Sequence, residues 1–188
     1  MGGPVLRAGS TTAAAGSSAA AAAAPTAASA TAAARNIPVP TPFTGMDKDG
    51  VDGLKAFTFY WFDVQNYLLQ TGDDAPLRAL SDPACVYCTE QSAALATLYK
   101  DGGWMQGGQP KVLNIYPADA TDGGVVKAVL DYRSDASTTY AKDGSTTASV
   151  PYVAASTLMT VEAKYAHGKW TMLSVAHTPD AAIPGEAG

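Results

Sequence analysis

The run Leu54 to Leu69, LKAFTFYWFDVQNYLL, constrains this chain most. It is the densest apolar and aromatic stretch, and it has helical period. Leu54, Phe57, Trp61, Val64 and Leu68 recur every three or four residues and share one face. Tyr60, Phe62 and Tyr67 widen that face, which leaves Lys55, Asp63, Gln65, Asn66 and Gln70 on a narrower polar side. Asp49 or Asp52 is expected to cap the start, and Thr71-Gly72-Asp73 to supply the stop. An apolar stripe this wide needs a broad partner, such as the concave face of a sheet.

The remaining sequence supplies that sheet. Asp73 to Leu80 reads as a short helix, capped by Asp73 or Asp74 with Pro76 in its first turn. Cys85 to Lys100 reads as a third helix, with Val86, Leu95, Leu98 and Tyr99 as its larger apolar residues and Asp101-Gly102-Gly103 as its end. From Trp104 the period changes to two. Trp104–Gln109 is expected as a short edge strand, and Lys111–Asp119 as a strand with Leu113 and Ile115 on one face. Asp122-Gly123-Gly124 then forms a hairpin turn before the strand Val125–Ser134. Thr138–Val150 is polar and is expected as an irregular hairpin tip turning at Lys142-Asp143-Gly144. Val153–Tyr165 and Lys169–His177 are the last strands, joined by a tight turn at Ala166-His167-Gly168. Helices followed by strands predict an α+β fold: three N-terminal helices packed on a curved antiparallel sheet of four to five strands.

Composition sets the outer limits. Residues 1–37 are Ala, Ser, Thr, Gly and Pro with few aliphatic side chains and read as a disordered low-complexity tether. The domain is expected over 38–178, about the usual size for one core, with a tail over 179–188. The net charge of −5, from 12 Lys and Arg against 17 Asp and Glu, lacks the basic patch that a nucleic-acid binder needs. The Ala19–Ala24 run is too weakly hydrophobic and too interrupted for a signal-peptide core. With no Cys in the first 84 residues, membrane attachment is expected only through an anchor not present in this chain. The Thr, Ser, Ala and Gly bias and the two closely spaced Cys suggest an extracytoplasmic protein of the cell envelope or a secreted one.

Several strings carry a resemblance. Tyr60-Trp61-Phe62-Asp63, Asn66-Tyr67, Thr71-Gly72-Asp73, Leu80-Ser81-Asp82-Pro83 and Cys85-x-x-Cys88 together resemble an uncharacterised actinobacterial family of envelope lipoproteins, domain of unknown function 6318. The resemblance spans about residues 38 to 178. It implies a cone-like fold of the nuclear-transport-factor-2 type, shared with steroid isomerases and polyketide cyclases, and it carries no known activity. The acylated Cys of that family has no counterpart here.

Candidate chemistry is sparse. Cys85 and Cys88 begin a helix, where a dithiol can have a lowered pKa, but the strand-then-helix setting of a thioredoxin unit is missing. A zinc site needs further ligands, and His167 and His177 are the only histidines. A structural disulfide is the simpler reading, with redox and metal roles as the alternatives. Cone-fold enzymes place an acid or a phenol inside the cone. Asp63, Tyr60, Tyr67, Asp131, Tyr132 and Glu162 are the candidates, Asp63 foremost as a general base if it is buried. No nucleophile elbow, phosphate loop or metal-spaced cluster occurs, and no cofactor is expected. Tyr60, Trp61, Tyr67, Trp104, Tyr116, Tyr132 and Trp170 are either core or the lining of an apolar pocket. The expected role is non-enzymatic binding of a small apolar ligand or an envelope protein partner. An isomerase- or cyclase-type enzyme and a homodimerisation module are the alternatives.

Overall fold

The computed structural model describes residues 23–118 and 124–183. The tether residues 1–22, the turn residues Asp122 and Gly123 and the end of the tail lie outside the described residues. Helix α1 (Val51–Thr71) carries the expected stripe: Leu54, Phe57, Trp61, Val64 and Leu68 have no exposed surface at all. Its polar side is narrower than the sequence suggests, because Thr58 and Gln65 are also buried. Gly72 ends the helix in the left-handed region at φ 72° and returns its N–H to the Leu68 carbonyl at 2.8 Å. The expected aspartate cap is not made. Gly50 occupies the cap position, the Asp49 carboxylate accepts from the Gly50 N–H at 2.7 Å, and Asp52 lies past the cap in the first turn.

Helices α2 (Ala75–Leu80) and α3 (Val86–Lys100) follow. Asp73, not Asp74, accepts from the Ala75 N–H at 3.1 Å, while Asp74 pairs with Arg78 at 3.3 Å. Cys85 and Cys88 form a disulfide, and Cys85 Sγ also accepts from the Cys88 N–H at 3.3 Å as the α3 cap. Both cysteines are buried. This fixes the rotation of α3, so that Cys88, Ser92 and Leu95 face inward. Val86, one of the larger apolar residues of the helix, points to solvent.

Among the described residues, seven strands form two antiparallel sheets. The larger has β2 (Pro110–Pro117), β3 (Val125–Ser134), β6 (Thr157–Ala166) and β7 (Lys169–His177), in the order β2-β3-β6-β7. The smaller has β1 (Trp104–Gly107), β4 (Ser137–Tyr140) and β5 (Thr146–Val150), in the order β1-β4-β5. The irregular tip expected over 138–150 is therefore a strand pair. It turns where expected, with the Gly144 N–H on the Ala141 carbonyl at 2.9 Å. All five β5 residues are exposed, so no apolar alternation marks this strand. Strand β6 begins at Thr157 rather than at Val153, which is exposed.

Two β-bulges set the inner face of the larger sheet. The β2–β3 register shifts between Val112 and Asn114, and the β6–β7 register shifts between Glu162 and Ala163. Each extra residue reverses the alternation. Ile115 is thereby buried while Leu113 is exposed, and Met172 and Val175 both reach the core across Leu173. The inner rows Ile115–Leu130–Met159 and Ala128–Val161–Val175 pack with α1 in a single core.

At one end of this cone the segment before α1 lies on the sheet. Trp170 donates to the Lys48 carbonyl and Tyr165 to the Asp47 carbonyl, each at 2.8 Å, while Phe57 stacks near Trp170. Within the stretch expected as tether, Thr26 and Arg35 pair in both directions at 2.9 Å, and Ser29 pairs with Ala32. The Ser29 carbonyl accepts from Trp104 Nε1 at 2.8 Å. Backbone groups hold this hairpin, which is why an Ala- and Thr-rich composition conceals it.

Candidate functional site

The predicted aromatic residues do not line one pocket. Each indole and most of the phenols instead end on an internal partner. Trp61, fully buried, donates to Ser81 Oγ at 2.9 Å, and Tyr60 donates to the Pro40 carbonyl at 3.3 Å. Tyr67 donates to Asp73 at 3.1 Å. Trp104 stacks on Tyr140 at 5.1 Å, and Trp170 holds the Lys48 carbonyl. Tyr116 is half-buried on the outer sheet face, in register with Val129. Only Tyr132 of this set lines the open end of the cone.

That open end holds a cavity of about 220 Å³. Phe62, Gln65 and Leu69 of α1 form its floor, and Tyr87 and Gln91 of α3 one wall. Tyr132 and Met159 of the larger sheet form a second wall, and Met105, Ser137 and Val150 of the smaller sheet a third. The strand pair that the sequence conceals is thus needed to enclose the site. Met105 faces the cavity where its neighbour Trp104 faces the other way, onto the hairpin, as strand alternation requires.

A polar cluster sits on the apolar floor. Gln65 is 1% exposed. Its Nε2 donates to the Tyr87 hydroxyl at 2.9 Å and to Gln91 Oε1. Gln91 Nε2 donates to the same Tyr87 oxygen at 3.3 Å. Gln65 Oε1 is buried without a partner among the described residues. The Tyr132 hydroxyl pairs with His177 Nδ1 at 3.2 Å, a phenol–imidazole pair. Burial pushes the Tyr132 phenol pKa up, and the neighbouring Tyr87 adds to the shift. Asp135 contributes the site's carboxylate, which accepts from Lys111 at 3.0 Å. Sequence reasoning missed Gln65, Tyr87 and Gln91. Gln65 looks like part of the solvated helix side, and only its contact with α3 reveals its burial.

The other candidates lie elsewhere. Asp63 is exposed and does not line the cavity; it sits beside Pro38 and Pro40, where lost hydration pushes its pKa up. Asp131 and Glu162 are on the outer sheet face, Asp131 accepting from Asn114 at 3.4 Å and Glu162 opposite Lys127. His167 is exposed in its turn at φ 54°. Among the described residues no group of three His, Cys, Asp or Glu is placed to hold a metal, and no helix is long and apolar enough to cross a membrane. A smaller crevice of about 120 Å³ lies between α2 and α3, against Leu77, Pro83 and the disulfide.

Comparison with solved structures finds distant neighbours. Aln2 from a Streptomyces species is 13% identical, with a TM-score of 0.44 over 71% of this chain and 95% of its own. The intermembrane space region of the chloroplast protein ARC6 is 10% identical, with a TM-score of 0.43 over 70% of this chain and 99% of its own. No curated protein matches the chain. One family model spans residues 26–176, starting at the hairpin that docks on Trp104, and by that match the chain belongs to the family of unknown function DUF6318.

Proposed function

We propose that this chain is an extracytoplasmic binding domain that takes a small, mainly apolar ligand into the open end of the cone. The observation that carries this reading is the cavity bounded by α1, α3 and both sheets, in which the apolar Phe62, Leu69, Met105 and Met159 share the lining with the polar groups of Gln65, Tyr87, Gln91, Tyr132 and Ser137. The buried Cys85–Cys88 disulfide supports an oxidising location. The isomerase- or cyclase-type alternative is weaker, because Asp63 is exposed and does not line the cavity. A dimer through the outer sheet face is weaker too, because its cross-strand rows hold Lys127–Glu162 and Asn114–Asp131 rather than a continuous apolar patch.

The methionines provide a direct test. Met105 and Met159 line the cavity, whereas Met46 and Met172 do not. In a titration of ¹³C-methyl-methionine protein with 2-methoxynaphthalene, the Met105 and Met159 resonances are expected to move in a saturable way while Met46 and Met172 stay. No saturable shift at Met105 and Met159 up to the solubility limit of the probe would refute the proposal.

A further inference from the structure

We infer that the cone-mouth site selects neutral amphiphiles that present a hydroxyl or primary amide to Gln65 and Tyr87. The inference rests on the binding role proposed above and specifies its ligand chemistry. Its basis is an account of hydrogen bonds. Both Nε2 hydrogens of Gln65 are used, one by Tyr87 and one by Gln91. The Tyr87 oxygen accepts from Gln65 and from Gln91, so its own hydrogen remains to be donated. Gln65 Oε1, in a side chain almost wholly buried, has no donor among the described residues. Gln65 and Tyr87, both lining the cavity, therefore carry one unmet acceptor and one donor still to be used. A hydroxyl complements that pair, since it donates to Gln65 Oε1 while it accepts from Tyr87. A primary amide does the same with its N–H and C=O.

Charge narrows the class further. Among the described residues no Lys or Arg lines the cavity, and its one carboxylate, Asp135, already holds Lys111. A carboxylate or phosphate ligand would meet no lining cation and would lie near the Asp135 carboxylate, at a cost in lost hydration. The ligand body belongs against Phe62, Leu69, Met105 and Met159.

Three matched probes test this: 2-naphthol, 2-methoxynaphthalene, which lacks the donor, and 2-naphthoate, which is anionic. Each is titrated into wild type and Gln65→Leu, with the Met105 and Met159 methyl shifts as the readout. In wild type, 2-naphthol is expected to bind about tenfold tighter than 2-methoxynaphthalene, a difference of about 1.4 kcal/mol. The naphthoate is expected to be weakest. In Gln65→Leu the tenfold margin is expected to fall below about threefold, by loss of the naphthol hydrogen bond. Equal binding of the two neutral probes to wild type, or tightest binding of the naphthoate, would overturn the inference while leaving the binding role intact. A margin unchanged in Gln65→Leu would also overturn it. If no probe moves Met105 or Met159, the binding role itself fails. The wild-type comparison stands on its own should Gln65→Leu not fold.

Discussion

Ser81 is predicted to be the most consequential small side chain in the fold. It joins three elements, α1, α2 and β7. Its Oγ accepts from Trp61 Nε1 in the middle of α1 at 2.9 Å and donates to the Leu77 carbonyl of α2 at 2.9 Å. Its backbone bridges to Met172 on β7, where the Asp82 N–H donates to the Met172 carbonyl at 2.8 Å. Trp61 has no exposed surface, so its N–H loses its one partner once the hydroxyl is gone. Ser81→Ala therefore leaves a buried indole donor unmade, at a cost of about 1–3 kcal/mol. Trp61→Phe removes that donor, and a subsequent Ser81→Ala should then cost well under about 1 kcal/mol. The double-mutant cycle should show a coupling of about 1–2 kcal/mol. The assay is urea unfolding followed by far-ultraviolet circular dichroism. With a slope of about 2 kcal/mol per molar urea, Ser81→Ala should lower the midpoint by about 1 M. A midpoint within about 0.2 M of wild type, or strictly additive mutants, would refute this reasoning.

Three further predictions use the same unfolding assay or a mass measurement. Gly72→Ala forces a side chain into a left-handed cap and against the Tyr99 ring, so a loss of about 3 kcal/mol is expected. The same change at Gly144, where the left-handed backbone faces open space, should cost only about 1 kcal/mol. Equal losses at the two sites would contradict the packing of Tyr99 on the α1 terminus. Replacing both Cys85 and Cys88 by Ser should cost about 2 kcal/mol, since the closed loop is short. The natural protein should take up alkylating reagent at neither Cys until it is reduced; free alkylation before reduction would contradict the extracytoplasmic proposal. Burial pushes the phenols of Tyr60, Tyr67, Tyr99 and Tyr132 up, with the Asp73 hydrogen bond adding to the shift at Tyr67. With folded pKa values above unfolded ones, the unfolded chain loses protons first. Stability should thus hold below about pH 10 and fall as pH rises through the folded values. Tyr99→Phe, which loses the bond to the Leu69 carbonyl, should flatten that alkaline decline, and an unchanged slope would count against it.

The parts of the fold that were legible in the sequence are those where one element's own pattern decides the outcome. The face of α1 follows from residue spacing alone, and its end follows from Gly72. The tight turn at His167 and Gly168, both at positive φ, follows from local turn chemistry. The rest depends on partners far away in sequence. Leu113 and Ile115 share a parity in the sequence but not in the fold, because a bulge against β3 intervenes. Strand β5 is exposed throughout, so its pairing with β4 leaves no periodic trace. The hairpin over 26–35 is held by backbone bonds that side-chain composition does not report.

The candidate site was less legible than the fold for the same reason. Aromatic residues were the natural choice for a pocket, yet Trp61, Trp104 and Trp170 have their N–H groups committed to structural bonds. The cavity is instead defined by Gln65, Tyr87 and Gln91, which meet only when α1 and α3 pack. The Cys85–Cys88 pair was legible as a disulfide because its short spacing already brings the two residues together.

The most direct test of the central claim is a crystal structure of the protein with 2-naphthol bound. The naphthyl ring is expected against Phe62, Met105 and Met159, with its hydroxyl within hydrogen-bond distance of Gln65 Oε1. A ligand found in the crevice beside Cys88 or on the outer face of the larger sheet, with the cone mouth empty, would contradict it.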